Sequence, residues 1–436
     1  LDKDRHPFQQ LAFQRRQSVH LSNSWYEEWP ISTLSRISRD SRRQIIALLL
    51  EHGQLSRADL SRLAGLNKPT VSNLVASLIE AGMIREVGEG ISTGGRKPIL
   101  LEVAADHRLI AGVEVDASGC RLVLKTLVGA EAGSAFIPLT AFDPESVVEA
   151  IAGQIGALLV GMPGVSLLGC GVAVPGIVDQ RHDCADLPAP FHWRSVFFRA
   201  DLEDRLHAPV VITDRGKAAG LGEMWHLGRD HEHDLVYLYL GDGVGGAIVV
   251  GQKIHTGVGN VAGEIGHMVI DPDGPPCSCG RHGCVEAMVS TDAILRLVQA
   301  GDTSCDQTPV HLQRRGVAAR IGALARDGDA AALTIIETIA NRVGIAVSNL
   351  INVLNPGVVV LGGPTTVWGT PFLNAVNEHV QRSALQLAVE STRIVIGEAG
   401  ELAAALGAAT LVRQRGAELL IRSRGSVVVG FQAGGR

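Results

Sequence analysis

AGEIGHMVIDPDGPPCSCGRHGCVE, residues 262–286, decides how the chain is read. Nine residues separate His267 from the run Cys277-Ser-Cys279-Gly-Arg-His-Gly-Cys284. One imidazole and three thiolates make a closed tetrahedral set for Zn2+, with no position left for water, so a structural metal is predicted. Gly280 and Gly283 let the backbone turn tightly enough for the sulfurs to converge. Three buried cysteines without metal is the competing reading, and the density of the Cys-x-Cys-x4-Cys cluster behind a His argues against it. His282 would be a fifth group and is expected to face solvent.

Outward from this segment, the 436 residues suggest two or three domains. Aromatics are scarce, so the core must rest on Val, Leu, Ile and Ala. The 51 glycines are spread along the chain, which argues for tight turns and close backbone approaches rather than a linker. An odd count of seven cysteines with one tight cluster fits a reduced cytoplasm better than a disulfide framework. No apolar run reads as long enough to span a bilayer, and the N-terminal residues show no secretory h-region. Net charge is −6, unevenly placed: residues 35–98 carry 10 Lys/Arg against 6 Asp/Glu. A basic module on an acidic body is the balance of a nucleic-acid binder with a separate sensor or enzyme body.

Residues 1–34 read as a polar tail, with Trp25, Tyr26 and Trp29 expected to dock on a neighbouring surface. Helical periodicity starts near Ser41, through Ile45, Leu48, Leu49 and His52, and Gly53 stops it. Ser56 can cap a short helix to Ala64, with Asp59 at its positive end. Asn67 can cap a second helix with Pro69 in its first turn. Val71, Leu74, Val75, Leu78 and Ile79 give that helix one apolar face. Residues 83–87 and 99–103 read as strands around a glycine-rich loop with a basic tip. Helix, turn, amphipathic helix and basic hairpin describe a winged helix-turn-helix, whose second helix suits the major groove. Ser72 and Asn73 are the candidates for base edges, Lys68 and Thr70 for phosphate, and Arg96 and Lys97 for a narrow minor groove. A small helical subdomain with a solvated polar face is the bland alternative.

After Ala105, apolar strands near 109–115, 120–127, 168–174, 210–213, 235–240, 247–250 and 358–361 alternate with helical stretches, which means α/β architecture. The expected organisation is a tail over 1–34, the winged helix over 35–103, an α/β body over 104–413 and a tail over 414–436. Gly241-Asp-Gly-Val-Gly-Gly246 lies between two strands and fails as a dinucleotide fingerprint. A tight hairpin and a phosphate-holding loop both fit it.

Four segments together resemble the ROK family (repressors, open reading frames and sugar kinases) over about residues 40–413. They are residues 171–179, Gly241 to Gly246, residues 262–286 with Glu286, and residues 349–363. The resemblance implies a two-lobed actin-like ATPase fold behind the winged helix-turn-helix, with the sugar site in the cleft. It also implies a homodimer or homotetramer. In the family the sugar is held by an Asn-Asp pair and by the Glu, His and Glu around the zinc loop. Thr213, Asp214, Glu264, His267 and Glu286 stand at those positions, with Thr213 in place of the Asn. The Asp is the general base in sugar kinases, a role a carboxylate suits. The family's first phosphate loop reads Asp-x-Gly-Gly-Thr-Lys, against Asp116-Ala-Ser-Gly-Cys-Arg121 here, with Ser118 for a glycine and Cys120 for the threonine.

Phosphoryl transfer depends on positioned donors around the phosphates, so these departures predict weakened ATP binding. The chain is expected to be a cytoplasmic transcriptional regulator, a repressor of carbohydrate-metabolism genes. It would bind a double-stranded operator and be controlled by a sugar or sugar-phosphate effector. An ATP-dependent sugar kinase is the alternative that Asp214 keeps open, and a cleft that docks a protein is the third reading.

Overall fold

The structure, a computed structural model, describes residues 33–91, 97–162, 164–179, 184–186, 191–194, 196, 198–227, 234–251, 253–300 and 316–422. Trp25, Tyr26 and Trp29, the wing-tip Arg96, Cys305 and residues 423–436 lie outside the described residues. Contacts divide the chain into two compact units, Leu1–Glu102 and Val103–Arg436.

In the first unit, helix Thr33–His52 is followed by strand β1 (Leu55–Ser56), helices Arg57–Ala64 and Lys68–Glu80, then β2 (Ile84–Glu89) and β3 (Ile99–Val103), in sheet order β1-β3-β2. Local chemistry sets the helix ends. The Ser56 hydroxyl accepts from the Asp59 backbone at 3.1 Å, and the Asp59 carboxylate accepts from the Ser56 backbone at 3.2 Å, a capping box. Gly65, at φ 66°, closes that helix in the left-handed region. Asn67 then caps the next helix through Thr70 at 2.9 Å. Val71, Leu74, Val75 and Leu78 are buried, and with Ile45, Leu49, Leu60, Ile84 and Leu101 supply the apolar interior of this small unit.

The second unit holds two five-stranded sheets with the same topology. The first runs β10-β7-β4-β5-β6, built from β4 (Arg108–Asp116), β5 (Gly119–Thr126), β6 (Glu131–Pro138), β7 (Ser166–Val174) and β10 (Val210–Asp214). Short β8 (Ile177–Asp179) and β9 (Cys184–Asp186) form a separate pair. The second sheet runs β13-β12-β11-β14-β15, from β11 (Leu235–Leu240), β12 (Val244–Val250), β13 (Lys253–Ile254), β14 (Val358–Gly362) and β15 (Arg393–Ile396). In each, three antiparallel strands continue into two parallel ones, so hairpin β4–β5 and hairpin β11–β12 are equivalent.

One core packs helices Pro144–Val160 and Arg199–Leu206 on the first sheet through Val147, Ile151, Ile155, Leu202 and Leu206. A second sets helix Ala330–Leu354 and its neighbours on the second sheet through Ile339, Val343, Val347, Val359, Leu361 and Phe372. Helix Ala330–Leu354 corrects the sequence reading that no apolar run is long enough for a bilayer, since its length and hydropathy reach that threshold. Half of that window is buried inside this core, as for the central helix of a globular lobe. The chain from 414 also continues in order, as helix Gly416–Arg422 with Leu419 and Leu420 buried.

Between the sheets lie helices Arg215–Leu227 and Ala403–Gln414, small-residue helices that meet through glycine. A Cβ on Gly112 of β4 would come within 2.0 Å of the Ala405 carbonyl, and one on Gly171 of β7 within 2.0 Å of the Ala408 carbonyl. The helices repeat this with each other, Gly222 against Ala403 and Gly407 against Ala218.

Gly171→Ala is therefore expected to cost about 1–3 kcal/mol or more by overpacking against backbone. Gly153→Ala, on an exposed helix turn with open space around it, is expected to be neutral or to stabilise by about 0.5–1 kcal/mol. Thermal melts of both variants check the contrast. Equal melting temperatures would refute the close-packed joint.

Candidate functional site

In the first unit, Lys68, Ser72 and Asn73 stand exposed along one side of helix Lys68–Glu80, opposite its buried stripe. Thr70 is half-buried beside the Asn67 cap. The helix has no acidic residue in its first turn, so its positive end is uncompensated and suits a phosphate. Ser77 faces inward enough for its hydroxyl to bond the Leu74 carbonyl at 2.8 Å. Two further cations are used internally, Arg57 on Glu86 at 2.8 Å and Arg85 on Glu102 at 2.7 Å. Lys97 is exposed and lies 3.5 Å from Glu89, an exposed pair worth little against a phosphate.

In the second unit, the loop between β13 and helix Val285–Val289 gathers His267, Cys277, Cys279 and Cys284, with all ligand atoms within 4.8 Å of one another. Cys277 Sγ is 3.7 Å from His267 Nδ1, and Cys279 Sγ is 3.6 Å from Cys284 Sγ. A zinc–sulfur bond of about 2.3 Å sets tetrahedral ligand separations of about 3.7 Å, so the four donors fit one closed ion. The turn requires its glycine: a Cβ on Gly283, at φ 62°, would strike the Asp271 carbonyl at 1.5 Å. The Arg281 backbone N–H pulls the exposed Cys279 thiol down to about 6, while burial pushes Cys284 up to about 12. His282 is exposed.

Two carboxylates, Glu264 and Glu286, flank this cysteine cluster in the chain. Glu286 accepts from Ser278 Oγ at 3.1 Å and from the backbone of Val244 on β12 at 3.1 Å, which ties the cysteine loop to hairpin β11–β12. Glu264 remains open to solvent, yet it is enclosed enough that burial, with Asp214 nearby, raises its pKa. Thr213 and Asp214 are buried at the end of β10.

Sequence reasoning did not anticipate Lys217. Its backbone N–H meets one Asp214 oxygen at 2.9 Å, and its Nζ meets the other at 2.6 Å. The same Nζ donates to the Asn260 carbonyl at 2.7 Å, and Asn260 Nδ2 donates to Val178 of β8 at 2.8 Å. Asn260 holds this position at φ 59°, and its Oδ1 is buried without a hydrogen bond among the described residues. The signal was a lysine three residues after Asp214, on the same helix turn. Its burial depends on how the lobes meet and could not be read from spacing.

The expected first phosphate loop is the turn between β4 and β5. Val115 pairs with Cys120, so the turn is Ala117–Ser118 and Cys120 lies on β5. There it sits in the first core, its thiol pushed up to about 12 by burial. Ser118 bends back, its backbone and hydroxyl both donating to Asp116 Oδ1. Arg121 is held by Asp116 at 2.5 Å and Glu401 at 3.3 Å. Glu114, 4.0 Å from both Arg121 and Arg215, is pushed up to about 7 by burial against the pull of those cations.

A family model described as ROK family matches residues 140–415, and one described as winged helix-turn-helix DNA-binding matches residues 38–85. The chain is 29% identical over 383 residues to the xylose repressor of Caldicellulosiruptor bescii, covering 84% of this chain and 94% of that one. It is 30% identical over 316 residues to the glucokinase of Halalkalibacterium halodurans, covering 71% of this chain and 96% of that one. A solved ROK family transcriptional regulator, described as a homologue of the E. coli MLC protein, matches in fold with a TM-score of 0.75. Its sequence is 21% identical, and the match covers 89% of this chain and 99% of that one.

Two outcomes follow from this geometry. Cys279→Ser, or chelation of metal-loaded protein, should lower the melting temperature by roughly 5 °C or more, because ligand binding is coupled to folding. Unchanged melting after verified metal removal would contradict a structural ion. Glu114 favours its protonated form in the fold, so its contribution is full below its ordinary pKa of 4.5 and is lost as pH rises through about 7. Glu114→Gln should therefore gain on the parent between pH 5 and pH 8, by about 1–2 kcal/mol, a discount on what such a shift would give in full. Denaturant melts at the two pH values test the sign. A gap that does not change with pH would rule out the buried carboxyl as its source.

Proposed function

The chain belongs to the ROK family, and from that premise we propose that it is a DNA-binding transcriptional repressor of carbohydrate-metabolism genes. Its kinase-like cleft binds a sugar or sugar derivative as effector and does not phosphorylate it. The head supports the first half: an exposed face with Lys68, Ser72 and Asn73 on a helix of major-groove size, followed by a wing with Lys97. The relative named a xylose repressor matches over 84% of this chain, which favours the regulatory reading over the glucokinase match.

The second half rests on the turn after Asp116, where the Ser118 backbone and hydroxyl, the Gly119 backbone and Arg121 all donate to Asp116. Phosphoryl transfer needs such donors on the phosphates. Thr213, Glu264, His267, Glu286 and a remaining lone pair of Asp214 then serve as a hydroxyl-binding set. Zn2+ on His267, Cys277, Cys279 and Cys284 would hold Glu264 and Glu286 in place. Protein of this kind works in the cytoplasm, as a homodimer or homotetramer that reads paired half-sites. The competing kinase reading is favoured by the retention of Asp214, Glu264, His267 and Glu286 together.

Selection of genomic fragments with purified protein should recover a two-half-site operator. Binding should weaken with salt in proportion to the phosphates neutralised. Asn73→Ala should cost about 1–3 kcal/mol and relax sequence preference, while Lys68→Ala should weaken all sequences alike and reduce the salt slope by about 1. A coupled assay with ATP and a hexose panel should give no turnover. Absence of any sequence preference would overturn the regulator. ATP-dependent phosphorylation abolished by Asp214→Asn would restore the kinase.

A further inference from the structure

Arg215 belongs to neither the DNA-reading face nor the hydroxyl-binding set. It follows Asp214 directly and starts helix Arg215–Leu227. Its surroundings are fixed on both sides. A Cβ on Gly216 would lie 3.0 Å from the backbone N and O of Gly246, so the chain here runs against hairpin β11–β12. Arg215 Nε is 4.0 Å from Glu114, at the end of β4 beside hairpin β4–β5. Its guanidinium stacks over the Tyr239 ring, 4.7 Å from the centroid. The group therefore stands between the two equivalent hairpins of the two lobes.

A guanidinium keeps its charge and carries five N–H donors. The Tyr239 ring satisfies its face, not its edge. Among the described residues Arg215 makes no hydrogen bond, and Glu114 at 4.0 Å is too far to accept one. Its side chain is 25% exposed, so part of it stays open to a ligand. The neighbouring cations are committed: Lys217 to Asp214 and Asn260, Arg121 to Asp116 and Glu401. Glu114 and Asp116 balance part of its charge without satisfying its donors, and an enclosed donor edge without a hydrogen bond is well used by a two-oxygen anion.

We propose that Arg215 anchors an anionic group, so that the effector is a sugar derivative carrying a phosphate or a carboxylate. The anion meets Arg215, and the hydroxyls meet Asp214, Glu264, His267 and Glu286. This rests on the cleft being the effector site.

The test is calorimetric titration of the full, metal-loaded chain with glucose, xylose, glucose 6-phosphate, xylose 5-phosphate, glucuronate and inorganic phosphate. The parent is compared with Arg215→Gln and Arg215→Lys, each shown to melt as the parent does. At least one sugar acid should bind about tenfold or more tightly than its neutral sugar. Arg215→Gln should erase that preference and leave neutral-sugar binding unchanged, and Arg215→Lys should restore part of it. Whether the phosphates or glucuronate lead identifies the anion. Neutral sugars binding as well as the acids, a preference that survives Arg215→Gln, or inorganic phosphate matching the best sugar acid would each overturn the inference and leave the effector site standing. No binding by any of the six, with operator binding intact, would overturn both.

Discussion

The glycine–alanine joint between the lobes is the constraint on which the rest of the second unit depends. Helix Ala403–Gln414 lies so close to β4 and β7 that its carbonyls occupy the space where side chains of Gly112 and Gly171 would stand. Helix Arg215–Leu227 meets it by the same device at Gly222 and Gly407. Contact at backbone distance fixes position far more tightly than contact through long side chains, because nothing between the surfaces can change rotamer. Gly112 is two residues before Glu114, and helix Arg215–Leu227 begins at the residue after Asp214. The joint thus sets the places of the charged groups in the cleft, although none of its own residues carries a charge.

What those charges do follows from their burial. Asp214 and Lys217 are both nearly inaccessible, and each makes the other tolerable in a poorly solvated place. Separating such a pair leaves an uncompensated charge, so the pair resists exchange of partners. A carboxylate in this state accepts further hydrogen bonds readily but gives up its lysine reluctantly. At the β4–β5 turn, Arg121 is bound into Asp116 and Glu401, and Ser118 folds onto Asp116. The turn that would cradle nucleotide phosphates spends its donors on its own carboxylate.

Features set by neighbours in sequence were legible. Ser56 and Asp59, Asn67 and Thr70, and the left-handed Gly65 act within a few residues, and spacing alone identified the helix ends. The cysteine loop was legible because tetrahedral ligation needs a particular residue set at short range. Edge strand β6 and helix Gly369–Ser383 escaped because their apolar residues are sparse, although each packs on a near neighbour in the chain, β5 and helix Ala330–Leu354. Cys120 was read both as the start of an apolar strand and as part of a phosphate loop, and the ladder register, Val115 opposite Cys120, places it on the strand. Lys217, Arg215 and Glu114 carry nothing in their spacing that foretells burial, since their surroundings come from both lobes.

This difference explains why likeness over the whole chain cannot by itself separate a sensor from a kinase. The lobes, the cysteine loop and the glutamates beside it serve equally to hold a sugar for reaction or to register its presence. The distinction lies in which donors and acceptors around such a site stay open to a ligand. A lysine one helical turn beyond Asp214 reaches it without distorting the backbone, because the residues i and i+3 share one face at the start of the helix. A single residue at that spacing can therefore change the charge around a carboxylate while leaving the backbone path of the helix unchanged.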